Sequence, residues 1–199
     1  MKSTSREFPG FSHIYLSGET RAAAFRVSLD LKGDQNFALT RGEYRPDEPL
    51  VCVRYMGKKV PSDVIWTGWA VLQLFSDRVV EILRQHGFTG WSTYPVEVRG
   101  KDGEVFPGYH GMAFPGRCGP IDKSRSPLVR EPEPDDAFAQ HKGMYFDQDT
   151  WDGSDLFMSS DGTGFVFITE AVKRAFEKAK VKNISFTPLD EVLWYLPVK

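Results

Sequence analysis

The feature that most constrains this chain is one pattern that returns about 93 residues later. In the first copy, Asp63-Val64-Ile65-Trp66 reads as a short strand and residues 71–75 as a second. Ser76 then stands where a helix N-cap belongs, its hydroxyl able to accept from an orphan backbone N–H. Asp77 follows in the first turn, where negative charge suits the helix dipole. Val79, Val80, Ile82 and Leu83 form an apolar stripe at helical spacing, and Gly87 can end the helix in a left-handed turn. Residues 91–98 return as a strand. In the second copy, Asp155-Leu156-Phe157-Met158 and residues 165–168 take the two strand positions. Thr169 and Glu170 replace Ser76 and Asp77, and Val172, Ala175 and Phe176 replace Val79, Ile82 and Leu83. Val181, Asn183, Ile184 and Pro188 replace Phe88, Gly90, Trp91 and Pro95. Any two strand–strand–helix–strand pieces share some of these positions. The joint agreement of apolar, capping and proline positions favours two related units over that reading.

The expected fold class is therefore α+β: two related β-β-α-β units with mixed or antiparallel sheets, joined by a long Pro-rich loop. We expect a single globular domain over residues 1–199. It divides into an N-terminal β segment (1–62), the first unit (63–98), a loop-rich insertion (99–154) and the second unit (155–199). In the N-terminal segment, residues 13–16, 25–31 and 50–55 read as strands, Gly33-Asp34 as a turn and 40–49 as a loop. In the insertion, 99–103 reads as a hairpin turn and 106–114 as a bent strand. Residues 116–136 carry Pro120, Pro127, Pro132 and Pro134, just after Pro115, with many charges. They read as a long surface loop or a partly disordered segment, and as a candidate interaction loop.

The charge balance narrows the partners. With 25 basic and 27 acidic residues the net charge is -2, and no basic footprint for a nucleic acid is present. Hydrophobic residues are 41% and aromatics 14%, enough to build a core. The two cysteines, Cys52 and Cys118, are too few for a disulfide framework and suit a reducing compartment. The first residues lack the apolar core of a secretion signal, and no stretch reaches the roughly 18 apolar residues that span a bilayer. The expectation is a soluble, cytoplasmic protein with no membrane partner.

No assembled catalytic motif is legible. His110 in Gly-Tyr-His-Gly and Cys118 in Gly-Arg-Cys-Gly are the one pair that resembles a base and a nucleophile, and no third orienting group is identifiable. They carry the rival reading, a hydrolase. A structural zinc is not expected, because neither C-x-x-C nor H-x-x-x-H occurs. Asp147, Asp149, Asp152 and Asp155 fail as a calcium loop, since the twelfth position from Asp147 is Met158 rather than glutamate. Asp161-Gly162-Thr163-Gly164 lacks the lysine of a phosphate loop and reads as a turn. No metal and no cofactor are expected. Trp66 and Trp91 fall on apolar strand positions. Trp69, Tyr109 and Trp151 are the candidates for a partner-binding surface, or for stacking on a sugar if one flat face exposes them.

Asp155-Leu156-Phe157, Thr169-Glu170, Val172, Phe176 and Phe186-Thr187-Pro188-Leu189 resemble the C-terminal module of myxobacterial-type immunity proteins. Residues 72–90 look like the first module of the related double-CxxCG immunity proteins. Gly116-Arg117-Cys118-Gly119 falls where their second cysteine motif lies, but Pro115 holds its first cysteine position and no CxxC precedes it. The zinc of that subfamily is therefore not carried over. The resemblance implies a non-enzymatic protein that neutralises a cognate bacterial toxin by binding it. No contact residue transfers, because the motifs are structural.

Overall fold

The computed structural model describes residues 6–20, 24–31, 34–68, 72–132, 137–162 and 164–197. The chain begins with β1 (Ile14–Gly18), β2 (Arg26–Ser28), helix α1 (Gln35–Arg41) and β3 (Leu50–Met56). Next come β4 (Val64–Thr67), β5 (Gln73–Ser76), helix α2 (Asp77–Gln85) and β6 (Ser92–Arg99). β7 (Val105–Phe106), β8 (Tyr109–Ala113), β9 (Arg117–Cys118), β10 (Leu128–Arg130) and β11 (Phe138–Lys142) follow. The chain closes with β12 (Leu156–Ser159), β13 (Val166–Thr169), helix α3 (Glu170–Lys178), β14 (Ser185–Pro188) and β15 (Leu193–Pro197). The protein is α+β, with mixed and antiparallel sheets.

One sheet runs β3-β2-β4-β5-β8-β6-β7 and closes into a barrel, because β3 also pairs in parallel with β6. Closure leaves no edge between β3 and β6, and the two-residue β7 stays at the end of the run. Phe25, Val27, Cys52, Ile65, Leu74 and Val98 fill the interior. A second sheet runs β14-β1-β13-β12-β9, and a third, antiparallel, runs β10-β11-β15. Strand alternation places the core between the first two sheets. Val64 and Trp66 face a central cluster with α2 and α3, while Ile65 faces the barrel. Val166 and Ile168 face the same cluster, while Phe167 points into another with Phe146 and Phe157. Strands buried on both faces are why these stretches are almost unbroken apolar runs.

The two strand–strand–helix–strand successions lock onto each other through a carboxylate apiece. Asp63 Oδ2 accepts from the Lys182 N–H (2.8 Å), just after α3. Asp155 Oδ2 accepts from the Thr89 N–H (2.9 Å), just after α2. Backbone bonds run alongside, from Val64 N to Lys182 O (3.3 Å) and from Leu156 N to Thr89 O (3.0 Å). A backbone N–H given to a charged acceptor makes a stronger bond than one given to a neutral one, so these are firm links.

Several expectations change. Ser76 and Thr169 stand at the N-caps, yet neither side chain caps its helix. Their hydroxyls bond instead to Asp63 Oδ1 (3.4 Å) and Asp155 Oδ1 (3.3 Å), the carboxylates beside them. Helix α1 lies where no element was expected, and its residues 40 and 41 were expected as loop. It ends at Gly42, whose φ of 74° gives the left-handed cap. Residues 116–136, expected as loop, carry β9, where Cys118 buries apolar surface with Ile121 in the cluster of Phe146 and Phe157, and β10, which pairs with β11; 133–136 lie outside the described residues. The bent strand expected over 106–114 divides into β7 and β8, both paired along β6.

Candidate functional site

His110 and Cys118, eight residues apart in sequence, sit in different sheets. His110 lies on β8, opposite Phe75 and Pro95. Its Nε2 is 2.6 Å from Asp77 Oδ1, at the first turn of α2. Asp77 is 72% exposed, so this ion pair is a surface one and contributes little. Cys118 lies on β9 and is 2% exposed, among Ile14, Met144 and Phe157. Burial pushes its thiol from 9.0 up to about 12, so it stays protonated and is a poor nucleophile. The imidazole bonds Asp77, not the thiol.

The candidate aromatics are tied into the fold. Tyr109 packs at the barrel interior and its hydroxyl donates to Ser62 O (3.0 Å). Trp151 packs against the other cluster, edge-on to Phe8 at 5.6 Å, and its indole N–H donates to Ser154 O (3.2 Å). Tyr109 and Trp151 thus belong to different clusters. Trp69 lies outside the described residues.

The acidic run is spent on turns. Asp147 caps the Asp149 N–H (3.1 Å), and Asp152 accepts from Arg117 N (2.8 Å) and Ser154 N (2.9 Å). Among the described residues, no group of three or more His, Cys, Asp or Glu is placed to hold a metal. A cleft of about 490 Å³ is lined by Pro120, Ile121, Asp122, Arg125 and Phe146. The Arg125 guanidinium there lies over the rings of Phe11 (5.1 Å) and Tyr145 (4.8 Å), so its charge is already engaged.

The feature missed in the sequence is the outer face of the third sheet. β11 and β15 pair with Phe138 opposite Pro197, Gln140 opposite Tyr195 and Lys142 opposite Leu193. One face, with Trp194 and Ala139, is buried. The other leaves Phe138 51%, Leu193 56% and Tyr195 60% exposed. Beside them, all three residues of the edge strand β10 are exposed. Single exposed apolar residues are ordinary, while three on one sheet face make a candidate contact surface. The signal was the alternation Phe138-Ala139-Gln140-His141 and Leu193-Trp194-Tyr195-Leu196.

The model of the Immunity protein family (Imm11) matches residues 18–191, most of the chain. The chain belongs to this Imm11 immunity family. No curated protein matches it. The Imm11 match takes in all of the barrel, α2, α3 and the central cluster apart from Tyr15, so the immunity resemblance read from residues 72–90 and 155–189 extends over most of the fold. Segment 6–17 and β15 lie outside the matched residues. No helix among the described residues is long and apolar enough to cross a membrane.

Proposed function

We propose that this Imm11 protein neutralises a cognate bacterial toxin by binding it directly in the cytoplasm, without catalysis and without a cofactor. The observation that carries the reading is the outer face of β11 and β15 on a member of an immunity family: Phe138, Leu193 and Tyr195 stand clear of the core. Aromatic and aliphatic anchors of this kind supply most of the energy in protein interfaces. Tyr109 and Trp151, each only partly buried, are secondary contact candidates, with Trp69. The reducing cytoplasm suits the two buried free thiols.

We also propose that residues 63–98 and 155–199 are related units. The strand orders support it: β6-β8-β5-β4-β2 and β14-β1-β13-β12-β9 run with the same sense at each pairing. Positive φ supports it too. Among the described residues, Lys180 (54°) and Asn183 (65°) are the two non-glycines with positive φ, and both fall 93 residues after Gly87 and Gly90.

The test is co-purification with the product of the neighbouring toxin gene, followed by calorimetry of Phe138→Asp and Tyr195→Asp. A complex that either charge weakens at least tenfold, with the fold intact, supports the reading. No complex at micromolar concentrations would sink it. Hydrolytic turnover abolished by His110→Ala would favour the rival.

A further inference from the structure

We infer that segment 6–18 is a strap that completes the second unit from the far end of the chain, with Arg6 standing in for the arginine that α3 does not carry at position 171. The inference rests on the relation between the two units. The same offset that joins Ser76 to Thr169 places Arg78 on Ala171. In the first unit, Arg78 Nη1 donates to Asp63 Oδ2 (2.8 Å). In the second, Ala171 has no cation to offer, and the guanidinium of Arg6 donates to Asp155 Oδ1 instead. A cleft of about 340 Å³ lined by Arg6, Trp151, Asp155, Thr169 and Ala171 marks the space that a long side chain at 171 would enter.

The strand behind Arg6 follows the same logic. β1 sits between β13 and β14, antiparallel to both, as β8 sits between β5 and β6. The first unit takes that strand from just downstream, while the second takes it from the N-terminal end. Between Arg6 and β1 the strap is pinned by aromatics: Phe8 meets Phe146 at 5.6 Å and Phe11 meets Phe146 at 5.2 Å. Arg6 is the weak end. Its side chain is 53% exposed while Asp155 is 1% exposed, so the strap closes over a buried carboxylate from the solvent side. A charge buried to that degree needs its partner, because removing one member of such a pair strands the other.

The test uses the full chain and compares Arg6→Ala, Ala171→Arg and the double variant, with Arg78→Ala as the counterpart in the first unit. The readouts are thermal unfolding and hydrogen exchange of the His13 amide, which donates to Gly10 O (3.0 Å) within the strap. Arg6→Ala is expected to lower Tm by about 5 °C and speed exchange in the strap at least tenfold. Adding Ala171→Arg is expected to restore Tm and leave exchange fast, because Asp155 regains a cation while the strap end does not. Unchanged Tm and exchange in Arg6→Ala would overturn the strap. A destabilised Arg6→Ala that Ala171→Arg cannot recover would overturn the equivalence with Arg78. Loss of toxin binding alters neither outcome, so the two proposals fail separately.

Discussion

Asp155→Asn and Asp63→Asn make a pair of near-isosteric substitutions at matched places with unequal expected costs. Asp155 Oδ2 accepts from Thr89 N (2.9 Å) and Thr89 Oγ1 (3.1 Å), while Oδ1 accepts from Thr169 Oγ1 (3.3 Å) and Arg6. An asparagine keeps one acceptor oxygen and turns the other position into a donor. Whichever way its amide lies, at least one buried donor pair faces an N–H. Bonds to charged acceptors contribute about 1.5–3 kcal/mol each, and a stranded buried donor costs about 1–3 kcal/mol. Partial relaxation of Arg6 toward solvent brings the expected loss to about 3–5 kcal/mol. Asp63 has fewer close partners, Lys182 N and Arg78 both at 2.8 Å, and its side chain is 15% exposed, so water can replace part of what is lost. Its expected loss is about 1–2 kcal/mol. Urea unfolding at constant slope measures both: with a slope near 2 kcal/mol/M, the midpoint should fall by about 2 M for Asp155→Asn and by under about 1 M for Asp63→Asn. Equal shifts, or a shift below about 0.5 M for Asp155→Asn, would refute the claim that this buried carboxylate is the firmer lock.

Other perturbations test separate parts of the fold. Burial raises the thiols of Cys52 and Cys118 from 9.0 to about 12, so their contribution to stability is complete below about pH 9 and is lost as pH rises toward 12. Unfolding monitored across that range should show a decline that Cys52→Ala with Cys118→Ala flattens, and a stability flat with pH in the parent would refute it. Gly90→Ala should be severe, measured by chemical denaturation: φ is +84°, and a Cβ would meet Leu156 O at 2.0 Å. Lys180→Gly, at an exposed helix C′ position with φ 54°, should instead stabilise by about 0.5–1 kcal/mol, and a loss would count against the strain reading. His110→Ala should move the denaturation midpoint by an amount worth under about 0.5 kcal/mol, as expected of a surface pair.

What could be read in the sequence was what local chemistry encodes. Apolar runs and cap residues located β4, β5, α2 and β6, and again β12, β13 and the start of α3, within a residue or two. Helix α1 escaped because it has only seven residues and no side-chain cap, and Phe37 and Leu39 alternate as strand residues do. The loop expected over 116–136 misled because prolines and charges dominate its composition, while Cys118 and Ile121 are the residues that anchor it. Pairings between distant segments left no local trace: nothing near Tyr15 announces Pro188 as its neighbour. His110 and Cys118 looked like a pair because eight residues separate them, yet the chain leaves one sheet and enters another between them. The outer face of β11 and β15 was implicit in alternation, but which face the core would cover depended on Trp194 packing with Phe146 and Phe157.

The arrangement separates what holds the protein together from what it can offer a partner. The carboxylate locks, the close approach at Gly90 and the central cluster all lie where the two successions meet, so changes there propagate through both sheets. The exposed face of β11 and β15 belongs to a three-stranded sheet whose inner side alone is packed, through Trp194 and Ala139. Phe138, Leu193 and Tyr195 are each more than half exposed, so substituting them removes less buried surface than a core substitution does and should cost about 1 kcal/mol or less. A fold built this way can alter the proposed recognition face with little effect on its core. That is what a binding protein matched to one partner requires, because specificity is a difference between affinities set at the contact face. A catalytic reading requires a nucleophile and a base within reach of each other and of a substrate, and here Cys118 is buried in one sheet while His110 lies half-buried on another.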